Sequence, residues 1–128
     1  MNHDMLSDVF STIKNSESVG RSECTVKASN LIRSVLKIMQ KHKYIGATTI
    51  IEDGRSGMVK VKLLGKINEC KVIRPRFSSG KGEFTKFEKR FLPSSNVGII
   101  IVSTSKGVMD HNQANKEGIG GKLLGFVY

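Results

Sequence analysis

Residues 97–114 read V-G-I-I-I-V-S-T-S-K-G-V-M-D-H-N-Q-A, and the reading of this stretch decides the fold. Val97, Ile99, Ile100, Ile101 and Val102 are interrupted only by Gly98. A short β-branched run of this kind predicts a strand buried on both faces. The hydroxyl triplet Ser103-Thr104-Ser105 follows, then Lys106 and Gly107. Asp110 with Gln113 three residues later is a capping-box pattern that opens a short helix, with Met109 and Ala114 placed as a staple across its first turn. A rigid strand therefore leads into a small polar loop, and a capped helix leads out. Three hydroxyls, an ammonium group and free backbone amides at one spot suit contacts to phosphate, sugar hydroxyls and base edges.

Working outward toward the end of the chain, Gly118 predicts a left-handed helix stop. Gly120-Gly121 leaves room for close approach by another backbone, either of the chain's own sheet or of RNA. Lys122–Tyr128 predicts a last strand, whose aromatic ending suits docking in a sheet. Upstream, Phe84, Phe87 and Phe91 fall at i, i+3 and i+7, a helical stripe closed by Leu92-Pro93. Stacking aromatics usually stand exposed on a sheet, so this stripe is read as core. Cys70–Phe77 begins as a strand that Pro75 ends or confines to an edge. Lys71, Arg74, Arg76 and Lys81 carry no acid among them and run into Ser78–Gly82, read as flexible. This is either a solvated loop or an electropositive arm able to lie on a phosphate backbone.

The first half patterns differently. Leu6, Val9, Phe10 and Ile13, with Met5, form one apolar stripe and predict a helix over 4–16. Residues 24–26 predict a short strand. Ser29 is an N-cap for a second helix over 30–43, with Ile32, Val35, Leu36 and Met39 inward and His42 in its last turn. Two β-rich runs, 44–52 and 58–64, are joined by Asp53-Gly54, a strong hairpin signal. In the second run Val59, Val61 and Leu63 alternate with Lys60 and Lys62, apolar on one face and basic on the other. The expected fold class is α+β in two small lobes. Residues 1–65 form an N-terminal α-β-α-β-β lobe and 66–128 a β-rich lobe with short helices, with 65–69 as linker.

With 128 residues the chain can bury a core of its own, mostly aliphatic given 6% aromatic content and no Trp. Lys and Arg outnumber Asp and Glu by 21 to 11, a net charge of +10. The excess is spread over both halves and predicts a polyanionic partner. Cys24 and Cys70 lie far apart without a C-x-x-C, so a metal site and a disulfide are both disfavoured. No apolar run approaches membrane-spanning length and no signal-peptide core is present, which predicts a soluble intracellular protein with no membrane partner. Ser105, Asp110 and His111 are close in sequence, but the G-x-S-x-G elbow is absent and no nucleophile–base–orienter set is visible. No G-x-x-x-x-G-K-[ST] phosphate loop occurs. The expectation is no enzyme, no cofactor and no small-molecule substrate.

V-S-T-S-K-G-V-M, followed by G-G-K-L-L-G-F-V-Y, resembles the C-terminal signature of the small-subunit ribosomal protein eight family. I-R-P-R-F followed by F-x-x-F-E-K-R-F-L-P is similar to its archaeal and eukaryotic branch. The resemblance runs end to end. It implies a structural protein of the small subunit that binds a helical junction in the central domain of small-subunit rRNA early in assembly, beside neighbouring ribosomal proteins on a cytoplasmic ribosome. It makes Ser103, Thr104 and Ser105 specificity contacts, Lys106 a phosphate contact and Gly107 the residue that allows approach. Gly120, Gly121 and Lys122 would lie beside them. Lys14, Asn15, Ser29, Asn30 and Arg33 would meet the RNA backbone from the N-terminal lobe. Asp110 departs from the family's usual small uncharged residue, though its cap role survives, and the Ser78–Gly82 insert is this chain's own. Charge alone also permits a generic basic nucleic-acid binder without rRNA specificity, although no helix shows the concentrated basic face of a major-groove reader.

Overall fold

The computed structural model describes residues 5–27, 29–51, 57–73, 77–80, 82–94 and 97–128. The chain divides into two compact units, Met1–Asn68 and Glu69–Tyr128. The first runs α1 (Met5–Ser18), β1 (Glu23–Lys27), α2 (Asn30–Lys41), β2 (Ile45–Ile51) and β3 (Met58–Leu63), the expected α-β-α-β-β order. Its strands form an antiparallel sheet in the order β1-β3-β2. Val59, Val61 and Leu63 are buried while Lys60 and Lys62 face out, so the alternation sets which face carries the core. Leu6, Val9, Phe10 and Ile13 of α1 are buried, as are Ile32, Val35, Leu36 and Met39 of α2. Met5, by contrast, is exposed at the helix start.

The Ser29 hydroxyl accepts the Ile32 N–H at 3.2 Å, the capping bond the sequence predicts. The helix ends at Lys41 rather than Lys43 because Lys43 turns left-handed at φ 63°. That turn lets the Lys43 and Tyr44 amides donate to the Gln40 and Met39 carbonyls, closing orphan acceptors of the last turn. The Asp53-Gly54 hairpin turn lies outside the described residues, but Ile51 pairs with Met58 across it. The expected linker begins as an anchored segment. The Glu17 carboxylate accepts the Gly65 N–H at 3.1 Å and the Ile67 N–H at 3.0 Å, and Ile67 is buried.

The second unit holds β4 (Cys70–Val72), β5 (Ser78–Ser79), α3 (Phe84–Phe91), β6 (Ile99–Thr104), β7 (Gly107–Asp110), α4 (His111–Glu117) and β8 (Gly121–Val127). Its antiparallel sheet has the order β4-β8-β6-β7, with β5 also pairing β8. β4 and β5 follow one another along one edge of β8, opposite residues 125–127 and 121–122 respectively. Ser78 and Ser79, expected in a flexible segment, are instead paired, and Ser79 is buried. Ile99, Ile100, Ile101 and Val102 are all buried, as a continuous apolar run requires. Phe84 and Phe87 of α3 pack into a cluster with Ile73, Ile100, Val102, Leu123 and Phe126. Ring contacts continue from Phe77 through Phe87, Phe91 and Phe126 to Tyr128, with centroids 5.5–6.4 Å apart. Phe84 and Phe87 of the stripe are therefore core, and half-buried Phe91 packs against it. Glu69 and Tyr128 exchange backbone hydrogen bonds at 2.9 Å, which ties the last residue into the sheet.

His111 opens α4 among polar neighbours, yet its side chain turns inward. It is 1% exposed. Its Nδ1 accepts the Ile100 N–H at 3.0 Å, and its Nε2 lies 3.2 Å from Glu88 Oε1 of α3. An Nδ1 that accepts carries no proton, so the neutral ring carries its proton on Nε2, close to the carboxylate but without a hydrogen bond to it. Burial lowers the His111 pKa, against the opposing pull of the Glu88 and Asp110 carboxylates. The unfolded chain then takes up this proton first. The stabilisation is complete above the ordinary histidine value of 6.5 and is lost as pH falls through the folded-state value. Urea midpoints measured between pH 7.5 and 5 should decline for the wild type and decline less for His111→Gln; parallel profiles would remove His111 from the account.

Candidate nucleic-acid interface

The S-T-S-K-G segment is the tip of a hairpin, not a loop between strand and helix. Ser103 and Thr104 end β6, Ser105 and Lys106 form the turn, and Gly107 opens β7 opposite Thr104. Neither Ser105 nor Lys106 has a positive φ, whereas Gly107 sits at φ 113°. A turn closed by one left-handed glycine is the familiar alternative to the mirror-image two-residue hairpin turns. The three hydroxyls divide by role. Thr104 Oγ1 donates to the Gly107 carbonyl at 2.7 Å and accepts the Lys106 N–H at 3.1 Å, so its one proton is committed inside the turn. Among the described residues the Ser103 and Ser105 hydroxyls make no hydrogen bond, and Ser105 is exposed at the tip. Lys106 leans toward Glu117 of α4, Nζ to Oε1 3.7 Å, with its side chain 61% exposed. So exposed a pair is weak and leaves the ammonium free to exchange partners.

Gly120 and Gly121 are spent on the chain's own sheet. A Cβ on Gly120 would collide with the Ser79 carbonyl, and one on Gly121 with the Ser103 carbonyl and, at 2.8 Å, with Val102 Cγ1. These glycines let β5, β8 and β6 come together, and so set where Ser103 stands. In the resulting register Ser78, Lys122, Ser103 and Val108 form one row across four strands. Lys122 is exposed within that row. Ser78 and Val108 are the members that the sequence reading missed. The signal for the turn before β7 was present in S-K-G, a glycine placed to close a hairpin turn.

In the other unit, Lys14 and Asn15 are exposed near the end of α1. Asn30 and Arg33 are exposed on the first turn of α2, beside Ser29, whose hydroxyl is engaged in capping. Arg74 and Arg76 lie outside the described residues. The would-be triad is dispersed, since Asp110 caps α4 through the Gln113 N–H at 3.2 Å and His111 points into the core. Cys24 and Cys70 are buried and not disulfide-bonded, and burial pushes the Cys24 thiol up. Among the described residues no three His, Cys, Asp or Glu side chains gather as a metal cage, and no helix is long and apolar enough to cross a membrane.

Comparison with known proteins supplies the context. A family model described as Ribosomal protein S8 matches residues 4–128. The small ribosomal subunit protein uS8 of Methanococcoides burtonii is 48% identical over 126 residues, covering 98% of this chain and 97% of that protein.

The close approach at β8 has a measurable cost. Gly121→Ala should lower stability by about 3 kcal/mol, because the Ser103 backbone of the paired strand β6 cannot yield. Gly107→Ala, which meets only open space, should cost about 1 kcal/mol of conformational strain. Urea unfolding of the two variants checks the ranking; an unperturbed Gly121→Ala protein would mean the strands are not in this register.

Proposed function

Because the chain belongs to the ribosomal protein S8 family, we propose that this structural component of the small ribosomal subunit is a primary binder of the central domain of the subunit's rRNA. Its site there is a helical junction, engaged early in assembly on a cytoplasmic ribosome, beside neighbouring ribosomal proteins. The observation that carries this reading is the division of labour in the β6–β7 hairpin. Thr104 locks the turn from within, while the hydroxyls of Ser103 and Ser105 stand unspent on a frame made rigid by β8. Deep, narrow major grooves exclude side chains from RNA helices, so recognition falls to the shallow minor groove and to unpaired bases. Small hydroxyl side chains reach 2′-hydroxyls and base edges closely there. Lys122 stands beside Ser103, and Lys106 trades its loose partner for phosphate. Lys14, Asn15, Asn30 and Arg33 supply backbone contacts from the first unit, where positioning rather than sequence reading is needed. Arg74 and Arg76 add positive charge on the chain leading into β5.

Electrostatic attraction from the +10 charge acts on any polyanion and fades with salt. Selectivity must come from the hydroxyls. Ser105→Ala removes one unspent hydroxyl at an exposed tip, so folding should be unaffected. Its binding to a central-domain rRNA fragment should weaken about tenfold, the usual worth of one such contact. Binding to an unrelated duplex of equal length should stay unchanged. Equal losses on both RNAs would leave only a generic basic nucleic-acid binder.

A further inference from the structure

The sequence of α3, F-T-K-F-E-K-R-F, mixes one acid with three bases and looks unremarkable as a charge pattern. Burial separates them. Phe84 and Phe87 enter the core, and Glu88 turns toward His111, its side chain only 15% exposed. Thr85, Lys86, Lys89 and Arg90 remain exposed, and helical spacing puts them on one side. Arg90 is held over two rings, its guanidinium carbon 4.8 Å from the Phe77 centroid and 5.2 Å from that of Phe91. Lys86 lies over Phe87 at 5.1 Å and loosely pairs with Glu83 at 3.8 Å, across a site where both side chains are mostly exposed. Among the described residues Lys89 and Arg90 have no ionic partner. The outward face is thus cationic, and its arginine is pre-positioned by stacking, which lowers the ordering cost of a contact.

This face lies on the opposite side of the sheet from the hairpin row. α3 packs on the side that carries Val102, Met109 and Leu123. Ser103, Val108 and Lys122 are their neighbours in sequence and so project from the other side. RNA held by Ser103 and Lys122 cannot also be the segment that lies on α3 directly above the core. We propose that Lys86, Lys89 and Arg90 form a second RNA contact, which grips the sugar–phosphate backbone of an rRNA segment other than the one read by the hairpin. The proposal rests on the reading of the chain as an rRNA binder and extends it to a second strand of the same RNA. The chemistry is phosphate recognition by two ammonium groups and a planar guanidinium, which positions RNA without reading its sequence.

The native cysteines are buried, so single surface cysteines can carry a tethered iron–EDTA probe. Lys89→Cys and Ser105→Cys proteins, each labelled and rebuilt into small subunits, are used to map hydroxyl-radical cleavage of the rRNA. In parallel, Lys86→Gln/Lys89→Gln is titrated with small-subunit rRNA at several salt concentrations. Cleavage from position 89 at nucleotides distinct from those cut from position 105 is expected. The slope of log affinity against log salt should fall by about 1–2 in the double variant. Cleavage from position 105 alone overturns the second contact and leaves the hairpin reading standing. Cleavage from position 89 with an unchanged salt slope also overturns it, since the face would then lie near RNA without holding phosphate. Cleavage from position 89 alone overturns the hairpin reading instead.

Discussion

The second unit depends on how closely three strands approach at Gly120 and Gly121. Carbonyl groups of Ser79 and Ser103 occupy the space that any side chain there would need. With glycine, β5 and β6 flank the first residues of β8. Lys122 then falls opposite both Ser78 and Ser103, and the hairpin projects from a fixed position. A register slip of one residue would send Ser103 toward the aromatic cluster and Val102 to the opposite face of the sheet. The buried run 99–102 resists that slip from one side, and the two glycines resist it from the other.

Charge and hydroxyls then do different work. The positive charge spread over the chain brings a polyanion in from a distance and binds it in a salt-dependent, sequence-blind manner. In the proposed reading the hairpin adds selectivity, because its groups need little ordering when they bind. Thr104 has already closed the turn with two hydrogen bonds, and a restrained partner loses less conformational entropy than a free loop. His111 plays a comparable part beneath the surface. By facing Ile100 and Glu88 at once it links α3 to β6, and it draws the helix's one acid away from solvent. A buried polar link therefore shapes the charge of an exposed face.

Much of this was legible in the residues. The α-β-α-β-β order of the first half followed from helical stripes, an N-cap and alternating Val and Lys. The buried strand at 99–102, the Asp110 cap and the Gly118 stop were equally plain. What stayed hidden depended on residues distant in sequence. Ser78-Ser79 has the composition of a loop and becomes a strand only because β8 offers an open edge beside it. His111 has polar neighbours in sequence, and only tertiary packing brings Ile100 and Glu88 to its ring. β7 was not legible because its four residues, Gly107–Asp110, are too few to show a strand pattern and end on the residue that caps α4. In the candidate site, the triplet was visible as chemistry, but sequence gave no means to tell which hydroxyl serves the fold. Thr104 could be separated from Ser103 and Ser105 only once Gly107 and Lys106 were in place.

The proposed selectivity comes from hydroxyls held on a rigid hairpin, rather than from charge or from the hydroxyls without that frame. Thr104→Val tests it most directly. The substitution keeps Ser103, Ser105 and every charge, and removes the two hydrogen bonds that hold the turn. The ratio of affinities for a central-domain rRNA fragment and an unrelated duplex is the quantity to measure, at fixed salt. The account predicts that this ratio falls by about tenfold, the equivalent of roughly 1.4 kcal/mol, with duplex binding unchanged. A ratio equal to the wild-type value would contradict it, because selectivity would then survive the loss of the frame said to produce it.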